Sequence, residues 1–261
     1  MFEFREPPRT GFELTWRMFG VRFRVMPSFF LIAAIIAFLF VGFNPVAIVI
    51  DVACIFFAIV FTEFVQGVVY RSYGLRSTVL IQDFGGGIYP EHEPPSAIQR
   101  IVAALASPAS SFLLLAVVYY SNQEYGWRNI NPYFGFAYFI LWLISLFWGI
   151  IGLLPIFPYP GGRVMMELLT LASPRHGLTA TLVISIFVGL AYIAYTVAVY
   201  LRSMREIPLL QGTVLPASII LSVFLGMATA RNWQLLQIIR AQQRGYRTDQ
   251  DEYDDRAPWE R

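Results

Sequence analysis

The run Val46–Tyr70, VAIVIDVACIFFAIVFTEFVQGVVY, is long and apolar enough for a membrane helix and carries a carboxylate near its end. That combination constrains the chain more than any other feature. A helix needs about 20 predominantly apolar residues to cross a hydrocarbon layer of about 30 Å. Asp51 and Glu63 are the charged residues inside this run. An ionised side chain at membrane depth costs about 2.5–3.5 kcal/mol on insertion scales, so each reads first as a functional residue that is paired or hydrated. Asp51 reads equally well as a carboxylate reaching back to interfacial water. At about 1.5 Å per residue, Glu63 lies roughly 27 Å beyond the Asn44-Pro45 turn, toward the far end of the span.

The rest of the chain repeats the apolar theme. Of 261 residues, 57% are hydrophobic and 14% charged, a balance that polar surface on a water-soluble domain could not cover. The expected fold is an all-α polytopic membrane protein with about six transmembrane helices and short edge strands before span one and between spans two and three. The expected divisions are a cytoplasmic segment with a short strand over 1–26, a six-span domain over 27–230, and a cytoplasmic tail over 231–261. The spans are expected near 28–43, 46–70, 97–120, 134–157, 178–201 and 208–230. Residues 19–27 alternate apolar residues with Arg22 and Arg24, which predicts a half-exposed strand ended by Pro27. Ser77–Gln82 predicts a second strand, and Gly85–Gly87 a turn into Ile88.

Charge placement gives a topology. With the N-terminus inside, 16 of the 19 arginines fall on the inner side, leaving Arg128, Arg202 and Arg205 outside. The positive-inside rule then puts both termini in the cytoplasm of a cell-membrane protein. The tail reads as a basic amphipathic helix, with Trp233, Leu236 and Ile239 on one face lying partly on the membrane, and turns acidic from Asp249. The expected partner is the lipid bilayer; a net charge of +2 gives no reason to expect nucleic acid. Cys54 is the single cysteine, so neither a disulfide framework nor a cysteine metal cluster is expected.

A second interruption lies at the end of the fourth expected span, in Gly152-Leu-Leu-Pro155-Ile-Phe-Pro158-Tyr-Pro160-Gly161-Gly162-Arg163. Prolines and glycines at this density cannot continue a regular helix. Irregular backbone at that depth is tolerated where protein buries it or water reaches it, so this stretch is expected to fold back into the bundle, with helix resuming over Met165–Leu171. The break and Glu63 fall on the same side of the membrane and could share one pocket. Arg163 is then a candidate partner for the Glu63 carboxylate. The small residues Ala106–Ser111 in the third span allow close helix approach.

In order and spacing these landmarks resemble the site-2 protease family of intramembrane zinc metalloproteases. The likeness covers most of residues 15–175. It rests on Thr62-Glu63-Phe64-Val65-Gln66 in place of His-Glu-x-x-His, the Asp83-Phe84-Gly85-Gly86-Gly87 turn, Ala106-Ser107-Pro108, and Leu153-Leu154-Pro155 with Gly161-Gly162-Arg163 around the break. The resemblance implies that Glu63 occupies the general-base position. It also implies that Thr62, Gln66 and Pro160 stand at the three zinc-ligand positions, and Ser111 and Gly152 at positions that hold substrate.

Zinc bound for catalysis needs imidazole or carboxylate donors and an open site for water. Thr62 and Gln66 offer neutral oxygens, and Pro160 has no side-chain donor. Cys54 lies about 12 Å from Thr62 along a helix, and His92 and His176 read as loop histidines. No cofactor is therefore expected, and the leading reading is a degenerate, pseudoprotease-like member. Such a protein could still bind a membrane-protein segment by strand addition at 19–26 or 77–82. Two alternatives stay open: an active zinc protease with unconventional ligands, and a small transporter using Asp51 and Glu63.

Overall fold

A computed structural model of the chain describes residues 11–82, 85–206 and 214–254. Strands β1 (Leu14–Met18) and β2 (Val21–Val25) come first, followed by helices α1 (Pro27–Val41) and α2 (Pro45–Ser72). Strands β3 (Ser77–Gln82) and β4 (Gly85–Pro90) follow, then α3 (Ala97–Tyr125), a short 3-10 turn, α4 (Pro132–Leu153), α5 (Pro160–Ala172), α6 (Gly177–Glu206) and α7 (Val214–Asp254). The chain divides into two compact units, one running through Leu154 with Tyr159–Val164, the other holding Pro155–Pro158 and the chain from Met165 onward.

Helix starts follow local chemistry. The Asn44 side chain accepts from Ala47 N at 3.1 Å with Pro45 as the first helical residue, and Asn131 accepts from Tyr133 N and Phe134 N ahead of α4 with Pro132 in the same place. An asparagine cap satisfies amides the helix cannot, and proline loses nothing where no helical donor is needed. Asn44-Pro45 thus opens α2 three residues after α1 ends, which makes the expected helical hairpin.

The first unit is built on a four-stranded sheet in the order β1-β2-β3-β4. The pairs β1–β2 and β3–β4 are antiparallel, while β2 and β3 run parallel. A parallel pair needs a long crossover, supplied here by α1 and α2. Val21, Phe23 and Val25 alternate toward the core, where they meet Phe29, Ile59, Tyr70, Val79, Ile81 and Ile88, and Trp16 stacks on Phe23 at 5.0 Å. At Gly67 of α2 an added Cβ would lie 2.8 Å from Val21, so glycine lets the helix sit on the sheet.

Three expectations change. The strands foreseen around 19–26 and at 77–82 are present, but β2 and β3 are interior strands paired on both sides; the edges are β1 and β4. The strand β1 was not foreseen, and Gly85–Gly87 form the start of β4, not a turn; Asp83 and Phe84 lie outside the described residues. Arg24, expected on a half-exposed face, is 1% exposed, because its guanidinium grips both oxygens of Glu13 at 2.7 and 2.8 Å.

Among the described residues four helices are long and apolar enough to cross a membrane: α2, α3, α4 and α6 as far as Leu201. The 15 residues of α1 reach only about 22 Å, short of a hydrocarbon layer of about 30 Å. The stretch expected as a sixth span, 208–230, lies partly outside the described residues. The chain is thus a mostly helical membrane protein with a small sheet. The Pro/Gly break is also shorter than expected: α4 stops at Leu153, and Pro160 already begins α5.

In the second unit, α6 and α7 pack around Phe157, Leu182 and Leu236. Phe157 N donates to Ser185 Oγ at 2.9 Å, and Asn232 Nδ2 donates to Phe157 O at 2.7 Å. The irregular backbone therefore has both polar groups of Phe157 met by side chains. Asn232 and Leu236, in the segment expected to lie on the membrane, are buried here.

The Glu13–Arg24 pair yields a stability test. Arg24→Met removes the guanidinium that holds both oxygens of the buried Glu13 carboxylate, with an expected loss of about 3–5 kcal/mol, whereas Glu13→Leu with Arg24→Met recovers most of it. Denaturant or thermal unfolding in detergent measures both. Equal losses in the single and double variants would mean that the pair does not hold β1 to β2.

Candidate functional site

Helix α2 presents Thr62, Glu63, Gln66 and Tyr70 as buried side chains in its last three turns. Thr62 Oγ1 donates to Ile59 O, three residues back on the same helix, at 3.0 Å. Gln66 reaches across to α3, where Nε2 donates to Ala103 O at 2.9 Å with both residues buried. In an environment without water such polar groups turn to the nearest backbone carbonyl. The two positions flanking Glu63 are therefore engaged with helix backbone.

Glu63 differs from its neighbours. It is 8% exposed, and its Oε2 has no hydrogen-bond partner. Edge strand β4 lies on it: a Cβ added at Gly86 would stand 2.5 Å from Glu63 Cγ, 2.9 Å from Cδ and 3.0 Å from Oε1. Only glycine lets the strand come that close. The first turn of α5 contributes Arg163, whose guanidinium hydrogen-bonds Tyr70 and acts electrostatically on Glu63. Glu93, in the loop after β4, also acts on Tyr70. The site thus draws on α2, β4, the following loop and the start of α5, all within the first unit.

Gly161 explains how α5 reaches this place. A Cβ there would collide with the carbonyl oxygens of Leu153 and Leu154, so the first turn of α5 presses back on the end of α4. Pro160 stands at the head of that turn. Beside it, burial pushes the Tyr159 hydroxyl up to about 12, which keeps it neutral and able to donate.

Gly152 belongs to the contact between α3 and α4, and Ser111 is buried on α3. Ser111 Oγ donates to Ser107 O at 3.2 Å, and a Cβ on Gly152 would lie 3.1 Å from Pro108 Cβ. Cys54 Sγ lies 3.9 Å from Ala137 O of α4, and Asp51 is buried one turn earlier on α2. His92 and His176 are exposed. Among the described residues no group of three or more His, Cys, Asp or Glu side chains is placed to hold a metal ion.

Sequence reasoning missed Gly86 and Tyr70. The glycine triplet was a signal, but it also fits a turn, and only the strand register puts Gly86 opposite Ile81 and onto Glu63. Tyr70 carried no signal beyond its position two turns after Glu63.

The glycine contact can be tested by a double-mutant cycle. Gly86→Ala is expected to cost about 1–3 kcal/mol through overpacking. In a Glu63→Ala background most of that cost should vanish, because Cγ and the carboxylate are gone. Unfolding in detergent reads both; an identical cost in the two backgrounds would show that β4 does not rest on Glu63.

No protein-family model and no curated protein matches the chain. Among solved structures it is similar to the site-2 protease from Methanocaldococcus jannaschii, with 19% sequence identity and a TM-score of 0.57. The match covers 84% of this chain and 95% of that one. At this identity the likeness is one of fold: the chain has a site-2-protease-like fold.

Proposed function

We propose that this chain is a membrane protein of the site-2 protease type that has lost zinc hydrolysis and retains a place for an extended segment of another membrane protein. The observation that carries this reading is the engagement of Thr62 Oγ1 by Ile59 O and of Gln66 Nε2 by Ala103 O. The donor set around Glu63 does not fit zinc. A threonine hydroxyl, a primary amide and a proline supply no imidazole, carboxylate or thiolate, so no catalytic step is derived through the metal.

Support for a retained binding role comes from β4. It is the edge of the sheet, with β3 on one side. Gly85–Gly87 carry no side chains to obstruct an approaching backbone, and the unpaired Glu63 Oε2 lies at the same strand. An extended segment adds to such an edge through main-chain hydrogen bonds and needs no metal. The edges β1 and β4 replace 19–26 and 77–82 as candidates, since β2 and β3 have no free side. The arginine distribution supports placing both termini on the cytoplasmic side of the cell membrane.

Hydrogen exchange on the full chain in lipid nanodiscs, with and without a transmembrane peptide whose end is extended, tests the binding role. Slower exchange confined to the β4 amides supports it; protection of β1 alone, or of neither edge, overturns it. Proteolysis is tested in parallel with the same peptide in proteoliposomes. Wild type and Glu63→Gln should both leave it intact, and cleavage that depends on Glu63 would overturn the loss of hydrolysis.

A further inference from the structure

Glu63 Oε2 is a buried acceptor with no hydrogen-bond partner, and the edge strand β4 lies directly on its side chain. The polar groups around it are committed elsewhere. Thr62 donates to Ile59 O, and Gln66 donates to Ala103 O. Arg163 hydrogen-bonds Tyr70 and acts on Glu63 through its charge. An acceptor left unmet in a buried site carries the full cost of its lost water.

Strand register shows where a partner for it enters. Gly86 stands opposite Ile81 of β3, and Ile81 is fully buried in the apolar cluster between the sheet and α2. A hydrocarbon side chain thus holds the inner side of Gly86 and offers no donor. On its outer side β4 has no strand neighbour. Residues directly opposed on neighbouring strands point to the same face of a sheet, with Cβ atoms about 4.5–5.5 Å apart. The Cβ position of Gly86 lies 2.9 Å from Glu63 Cδ and 3.0 Å from Oε1. A residue added opposite Gly86 therefore points to the face that holds Glu63, and the carboxyl group is within one side chain and one hydrogen bond of it.

Charge decides the chemistry of that residue. The site already contains an acid, Glu63, and a guanidinium, Arg163. An acidic side chain would be set against the first and a basic one against the second, and either must give up its water to enter. A hydroxyl or a carboxamide has no charge to desolvate and both donates and accepts. It can meet Glu63 with or without the carboxyl proton.

We propose that the β4 edge selects an extended segment by a neutral hydrogen-bonding side chain (serine, threonine, asparagine or glutamine) placed opposite Gly86 and paired with Glu63. Glu63 is then the specificity-determining residue of this edge. The inference rests on strand addition at β4 and adds to it the chemistry of one position on the incoming strand.

The test measures affinity and β4 hydrogen exchange on the full chain in lipid nanodiscs with a panel of transmembrane peptides. Each has the same extended end, in which one threonine occupies successive positions, and each is compared with the peptide that has valine there. At one register threonine should bind roughly fivefold to tenfold tighter than valine, the gain from one hydrogen bond. Aspartate or lysine in that place should bind no better than valine. Glu63→Gln, whose carboxamide still accepts, should keep the preference. Glu63→Met, which keeps the packing under Gly86, and Glu63→Ala should each bring threonine to the valine level. The ratio is read within each variant, so a general loss of affinity does not enter it, and the wild-type comparison needs no variant. Peptides that slow β4 exchange with threonine and valine equal at every register would overturn this inference and leave strand addition standing. A preference that survives in Glu63→Met and Glu63→Ala would do the same. If no peptide slows β4 exchange, both are overturned.

Discussion

Hydrocarbon offers no hydrogen bonds, so a polar group on a spanning helix must find its partners inside the protein. Around Glu63 that requirement shapes everything nearby. Thr62 and Gln66 meet it through carbonyl oxygens of α2 and α3, and Gln66 thereby ties the two helices together. Glu63 meets it incompletely. Its carboxylate is covered by a strand that can approach only because Gly86 has no side chain, and the positive charge nearby comes from Arg163. The sheet itself is held over α2 by Val21, Phe23 and Val25, with Gly67 setting the distance. One carboxylate, two glycines and a sheet edge thus form a single packing problem.

The same constraint acts in the second unit on a different scale. The stretch between α4 and α5 cannot pair its own backbone, and Phe157 shows the remedy: Ser185 accepts from its amide, and Asn232 donates to its carbonyl. A short hydroxyl and a carboxamide on two helices do what a helix would otherwise do for itself. On the sheet, Arg24 follows the same logic with charge, buried only because Glu13 matches its guanidinium fork with both oxygens.

Much of this arrangement was legible from residue order. Apolar runs announced α2, α3, α4 and α6 as helices long enough to span, Asn44-Pro45 announced the start of α2, and Thr62–Gln66 and the Pro/Gly stretch lie on the elements that carry Glu63 and Arg163. What was not legible depends on register and distance. Alternation in 19–27 revealed a strand but not that it lies inside a sheet, since β1 carries only a weak pattern in Leu-Thr-Trp-Arg-Met. Gly85–Gly87 suited a turn as well as a strand, and the choice was made by pairing with β3. Arg24 looked solvated because its partner, Glu13, lies eleven residues away on a neighbouring segment. Pro160 read as part of the break because proline both ends helices and begins them.

The central claim is that the side chains around Glu63 serve packing and recognition in place of metal chemistry. Zinc content per mole of the purified full-length protein, before and after chelation, tests it most directly. The account predicts zinc well below one equivalent that a chelator removes readily and that Glu63→Ala does not change. One tightly held equivalent, released by substituting Gln66 or Glu63, would contradict it.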